Sequence, residues 1–168
     1  KKLKYLIIKA ESQIDFKDRK IVVAKDLLNS FIEECKITKY QQISEFLGSD
    51  FIGTICSHPF LNLGYDYDVP MLDARFVTTE QGTGIVHCAP SHGPDDFNLC
   101  LSNGIKALET VDDDGKYTKN IPLFNGTHIF KANSLVIEKL KEEKKLLYNG
   151  KLNHSYPHSW RSKAPLVH

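Results

Sequence analysis

The groups able to do chemistry concentrate in one stretch, Gly82-Thr83-Gly84-Ile85-Val86-His87-Cys88-Ala89-Pro90-Ser91-His92-Gly93-Pro94-Asp95-Asp96-Phe97. Glycine lets a backbone approach a ligand closely. Loop groups held between rigid elements make good ligand sites. A carboxylate in the first turn of a helix is stabilised as an anion by the helix dipole, so Asp96 is suited to hold a ligand ammonium group. Other chemistries compete for the same residues. A dinucleotide loop needs a third glycine where this chain has His87. A metal site could draw on His87, His92, Asp95 and Asp96, but their spacing matches no zinc pattern, in which helical histidine pairs sit at i, i+4. A Cys88–His92 nucleophilic pair would place the thiol in an apolar run, where buried thiols are usually inert. The bland alternative, a glycine-rich turn, a core histidine and a capped helix, stays open on composition alone.

The elements that must position this stretch are legible from periodicity. Lys4 to Ala10 and Lys20 to Lys25 are β-favouring runs separated by the polar Glu11 to Asp18, which predicts a hairpin with a long loop. Leu27, Leu28, Phe31, Ile32 and Cys35 recur at helical spacing, predicting a helix over about 25–36. Strand-like pieces follow at 41–47 and 51–57, then a turn-rich stretch over 62–70. Ile85 to Ala89 reads as a buried strand. Asp95-Asp96 opens a helix to about Ser102, closed by Asn103-Gly104. Asp112-Asp113-Asp114-Gly115 reads as a turn between two short strands. It lacks the alternating acids and distal Glu of a calcium loop. A further helix is expected over 131–145, its mixed charges facing solvent. Many short strands with two or three helices predict a mixed, β-rich α/β fold, barrel-like with peripheral helices.

Composition bounds the function classes. The 168 residues carry 22 Lys plus Arg against 21 Asp plus Glu, a net charge of +1 that argues against gripping nucleic acid through a broad basic field. It leaves room for contact with a small part of a nucleic acid. No apolar run approaches the ~20 residues that span a bilayer. The basic and apolar start stops at Glu11, too short for a signal peptide. The only methionine is Met71, which predicts an excised piece of a longer protein. Cys35, Cys56, Cys88 and Cys100 form no CxxC, and a domain of this size needs no disulfides, so reduced thiols and a cytoplasmic location are expected.

The order GTGIVHCAPSHGPDD resembles the signature of the editing domain inserted into class I aminoacyl-tRNA synthetases for branched aliphatic amino acids. Isoleucyl enzymes of bacterial type read GTGxVHxAPxHGxDD. Valyl enzymes carry lysine, and leucyl enzymes methionine, where this chain has His87. Phe130-Lys131-Ala132-Asn133 and His154-Ser155-Tyr156-Pro157-His158-Ser159-Trp160-Arg161-Ser162-Lys163 also resemble the isoleucyl family. The resemblance covers nearly the whole chain, least distinctively in its N-terminal third. It implies an editing domain over 1–153, the connective polypeptide 1, with 154–168 returning toward a catalytic domain.

The implied activity is hydrolysis of valine esterified to tRNA(Ile), within a parent enzyme that joins isoleucine to tRNA using ATP and Mg. The editing domain itself needs no cofactor by this resemblance. Its partners would be the valine-bearing 3′ end of tRNA(Ile) and the rest of the synthetase, in a monomer without membrane contact. Matched by position, Asp96 takes the aspartate that holds the α-ammonium, and His87 the histidine that positions the substrate. Gly82, Thr83 and Gly84 match the loop lining the pocket, with His92 shaping the loop and Asp95 capping the helix. The family also uses a threonine-rich strand, WTTTPWTLPAN, upstream of the first hairpin. No such segment occurs in these residues, so the chain is expected to begin after it, and binding without turnover is the alternative activity. Relatives with cysteines at Ser159 and Ser162 could bind zinc near His154 and His158; without those thiolates none is expected.

Overall fold

A computed structural model describes residues 3–11, 19–80, 82–150 and 158–161. The chain divides into two compact units. The first comprises Lys1–His87 and Glu138–Tyr148, the second Cys88–Ile137 and Asn149–His168.

The first unit is built on a three-stranded antiparallel sheet, order β2-β1-β3, from β1 (Lys4–Ala10), β2 (Lys20–Ala24) and β3 (Tyr40–Leu47). The hairpin pairs Tyr5 with Ala24 and Lys9 with Lys20, as the two Ile/Val runs predict. Its intervening loop at 12–18 lies outside the described residues. Leu6, Ile8 and Ala10 share one face by the period-2 rule, and all three are buried. That face meets Val23, Leu27, Phe31, Cys35 and Ile37 in one core cluster. Leu27 closes a 3₁₀ turn (Lys25–Leu27), and Phe31 belongs to helix α1 (Leu28–Glu34), so the predicted helix forms as two short pieces. Fully burying side chains of this kind contributes ~1.5–3 kcal/mol each.

The opposite face carries Tyr5. Its ring contacts Phe46 and Phe51 with centroids 6.0 Å away in each case, while Phe46 and Phe51 meet edge to face at 4.3 Å. A Cβ on Gly48 would come within 2.9 Å of the Tyr5 ring. Glycine leaves room for that ring; the chain turns here into a 3₁₀ turn (Gly48–Phe51), and the strand expected at 51–57 shrinks to β4 (Ile55–Ser57). β4 pairs with β5 (Asp68–Pro70), placing Ser57 opposite Asp68. Outer strand β3 is guarded by charge: Glu45 bridges Lys4 at 3.0 Å and Lys25 at 2.6 Å. Those lysines hold its carboxyl below the usual carboxylate range.

The second unit holds helix α2 (Pro94–Ser102), a bridged loop and most of α3 (Ile129–Glu142). The acidic turn forms as expected, with the Gly115 N–H donating to the Asp112 carbonyl at 2.9 Å. Its flanks are isolated bridges, Val111 with Tyr117 and Lys116 with His128. The last residues of α3, Glu138–Glu142, belong to the first unit. Phe124, Ala132 and Cys100 are buried. The predicted mixed α/β class is observed, with three α-helices among the described residues where two or three were expected, but the described strands form open sheets of three and two strands and close no barrel. Strands of three residues are too short to wrap a closed sheet. Among the described residues, no helix is long and apolar enough to cross a membrane.

The glycine turn at 82–84 docks on the sheet. Gly84 has φ +75°, and a Cβ there would lie 2.6 Å from the Ala24 Cβ. Gly82 has φ +74° with nothing within 4 Å of such a Cβ. Gly84→Ala is therefore expected to destabilise by about 2–4 kcal/mol, combining a left-handed backbone with a clash, and Gly82→Ala by only about 1 kcal/mol. Denaturant midpoints of the two variants check this, and equal losses would remove the close approach as the reason for Gly84.

Candidate functional site

The signature crosses from the first unit to the second between His87 and Cys88. In the first unit the backbone of the turn is fixed by two long-range hydrogen bonds. The Tyr5 hydroxyl donates to the Gly84 carbonyl at 2.7 Å, and the Ala24 N–H donates to the Thr83 carbonyl at 2.8 Å. Thr83 Oγ1 closes the turn locally, accepting the Ile85 N–H at 3.3 Å and lying 3.2 Å from the Ile85 carbonyl. Ile85 packs against the core cluster. The buried strand predicted over 85–89 does not form: these residues join no sheet, and Val86 is 51% exposed. The turn spends its backbone bonds on β1 and β2, and the following residues run out toward solvent. His87 is exposed as a result.

In the second unit, Gly93 is the N-cap of α2 and Pro94 its first residue, which places Asp95 and Asp96 in the first turn. Asp95 is exposed, and the N-cap has no side-chain bond. Asp96 reaches back instead: its Oδ2 accepts the Ala89 N–H at 2.8 Å. The Cys88 thiol also hydrogen-bonds the Asp96 carboxylate. Burial first, then the negative Asp96, push the Cys88 thiol up. Burial and the same carboxylate raise Cys100, one helical turn beyond Asp96. Both cysteines are free thiols, and the raised Cys88 is a poor nucleophile. His92 donates its backbone N–H to the Ala89 carbonyl at 2.9 Å, and its Nε2 lies 3.0 Å from Thr110 Oγ1. Ser91 Oγ donates to the Leu108 carbonyl. His92 and Ser91 thereby line an open cavity of about 450 Å³ with Leu108, Thr110, Asp112 and Gly115. Asp96 is not among its lining residues.

Each unit thus gathers part of the predicted set: Gly82, Thr83, Gly84 and His87 in the first, His92, Asp95 and Asp96 in the second. Among the described residues no three of His, Cys, Asp and Glu gather as metal ligands. His154 and Ser162 lie outside the described residues, and His158 is exposed. One feature went unread in the sequence. His58 stacks on Tyr65 with centroids 4.4 Å apart and planes 7° apart, beside Tyr67 and Phe60. The available signal was the run of aromatic and turn residues over 58–67.

No family model matches the chain. It is 75% identical over 166 residues to the isoleucine–tRNA ligase of Pelagibacter ubique, a match covering 99% of this chain and 18% of that protein. It is 45% identical to the isoleucine–tRNA ligase of Gluconobacter oxydans, covering 88% of this chain and 17% of the relative. The chain therefore spans less than a fifth of the length of the curated relatives it matches. Among solved structures, GlLeuRS-CP1 superposes with a TM-score of 0.62 over 89% of this chain and 75% of that one, at 17% identity. By sequence the chain belongs with the isoleucine–tRNA ligases, as a segment of them, and it shares the mixed α/β fold of GlLeuRS-CP1.

Proposed function

We propose that this chain is the editing domain of an isoleucine–tRNA ligase and removes valine from mischarged tRNA(Ile). The observation that carries this reading is the intact signature from Gly82 to Asp96 in a chain so similar to those ligases. An editing step answers a physical limit. One methylene in an apolar pocket is worth only ~1–3 kcal/mol, a value measured for this very pair of amino acids and not taken from this structure. A second site too small for isoleucine supplies the missing discrimination.

The chemistry is ester hydrolysis. A water oxygen forms a bond to the valyl carbonyl carbon, the bond to the ribose oxygen breaks, and a proton passes to that oxygen. The products are valine and tRNA with a free terminal hydroxyl. Asp96 holds the α-ammonium by a charge-assisted hydrogen bond. Its place in the first turn of α2 favours the anion. Ala89 and Cys88 engage it already, and a carboxylate's roughly four acceptor sites accommodate a further donor. His87 positions the ester and orients water through its imidazole. Gly82, Thr83 and Gly84 border the substrate, while His92 and Asp95 support the loop and helix start. The editing step draws on no cofactor. ATP and Mg belong to the ligation step of the parent enzyme, which works as a monomer in the cytoplasm and supplies most of the phosphate contacts to tRNA.

Hydrolysis of valyl-tRNA(Ile) against isoleucyl-tRNA(Ile) tests this reading, with faster loss of valine expected. Asp96→Asn keeps an acceptor for the Ala89 N–H while removing the charge. It is expected to fold and to lose roughly 10- to 100-fold in rate, the worth of a hydrogen bond to a charged group. Full activity in that variant would take the ammonium role away from Asp96. His87→Ala is expected to slow turnover about tenfold while changing stability by no more than about 0.5 kcal/mol, because the side chain is exposed. A matching loss of stability would make the effect structural.

A further inference from the structure

The loop from His58 to Tyr67 is closed by the pairing of Ser57 with Asp68. Inside it, the Leu61 N–H donates to the His58 carbonyl and the Leu63 N–H to the Phe60 carbonyl, each at 3.0 Å. The Asn62 N–H donates to Asp66 Oδ1 at 2.7 Å. Phe60, 5% exposed, anchors the loop from below. His58 lies flat on Tyr65, and the Tyr67 ring stands 5.5 Å from His58 at 52°. Tyr67 is 54% exposed. The backbone thus holds a set of aromatic rings at the surface in a fixed geometry, which lowers the ordering cost of binding.

The polar edges of these rings narrow the choice of ligand. His58 Nδ1 accepts the Phe60 N–H at 3.0 Å, so the neutral ring carries its proton on Nε2. Burial, and then the nearby His87, lower the His58 imidazole and favour that neutral form. The cluster therefore offers flat π faces bordered by the His58 imidazole N–H and the hydroxyl of the exposed Tyr67. A heteroaromatic ring with nitrogen and carbonyl edges matches both features, whereas an aliphatic side chain would cover the faces and leave the donors unpaired. The nearby His87 is the residue assigned to the aminoacyl ester and its ribose, so in the editing reading the platform borders the end of the nucleic acid that carries the terminal base.

We propose that His58, Tyr65 and Tyr67 form a stacking platform for an unpaired nucleobase at the acylated 3′ end of the tRNA. This deepens the editing reading and rests on it for the identity of the ligand. The neighbouring Asp66 and Asp68 disfavour phosphate, so contact is through the base face. Binding of single strands through aromatic stacking tolerates sequence for the same reason.

Titration of the full 168-residue chain with the trinucleotide cytidylyl-cytidylyl-adenosine tests the platform. Saturable binding is expected, weakened roughly tenfold by Tyr67→Ala and only about two- to threefold by Tyr67→Phe, which keeps the ring and loses the hydroxyl. A sugar–phosphate trimer lacking bases is expected not to bind, and the salt dependence to be shallow. Equal affinity for the abasic trimer, a steep salt dependence, no effect of Tyr67→Ala, or no binding by the folded chain each overturns the platform. Ester hydrolysis is read separately. Stacking that survives in a chain without deacylase activity refutes the editing reading alone, and hydrolysis indifferent to Tyr67→Ala with no trinucleotide binding refutes the platform alone.

Discussion

The arrangement of the first unit turns on one buried hydrogen bond, from the Tyr5 hydroxyl to the Gly84 carbonyl at 2.7 Å. It joins residues 79 positions apart. Tyr5 can make it because its ring is wedged among Phe46, Phe51 and Gly48, and because Gly84 offers no side chain to hold the turn away from Ala24. Losing the phenol would leave a desolvated carbonyl, a deficit of about 1–3 kcal/mol. The sheet, the aromatic face and the glycine turn are thus one packing problem. Its solution fixes where the chain leaves for His87.

That constraint assigns two duties to the signature. Its first half is a structural latch: Thr83 and Gly84 give their carbonyls to β2 and β1, and the chain then runs through Ile85 to the exposed His87. Its second half folds around Asp96, whose carboxylate organises the Ala89 turn and the start of α2. Gly84 therefore meets a packing requirement of its own, separate from the role in bordering substrate proposed for it.

Much of this was legible from local patterns. The β1–β2 hairpin followed from two Ile/Val runs around a polar gap, and α2 from its paired acids and terminal glycine; its first residue, Pro94, reads as loop in the sequence. The same signals misjudged 85–89, an apolar run that no strand pairs, and 51–57, which begins inside the 3₁₀ turn Gly48–Phe51. Both departures lie beside long-range contacts of a single tyrosine, with Gly84 and with Gly48, which no window of sequence contains. At the candidate site, the residue types and their order stood out, but the bonds from Asp96 to Ala89 and Cys88 did not. The ring cluster at 58–67 escaped because stacking depends on the β4–β5 closure. Its residues in isolation read only as a turn.

The engagement of Asp96 with Ala89 has a consequence for how a ligand would be felt by the protein. A carboxylate that already organises its own loop cannot accept an ammonium group without redistributing charge over the donors it holds. The folding equilibrium of the 89–92 turn and the occupancy of the carboxylate are then thermodynamically linked, each altering the other by the same free energy. The amide proton of Ala89, donated to that carboxylate, becomes an internal reporter of whether Asp96 is carrying a guest.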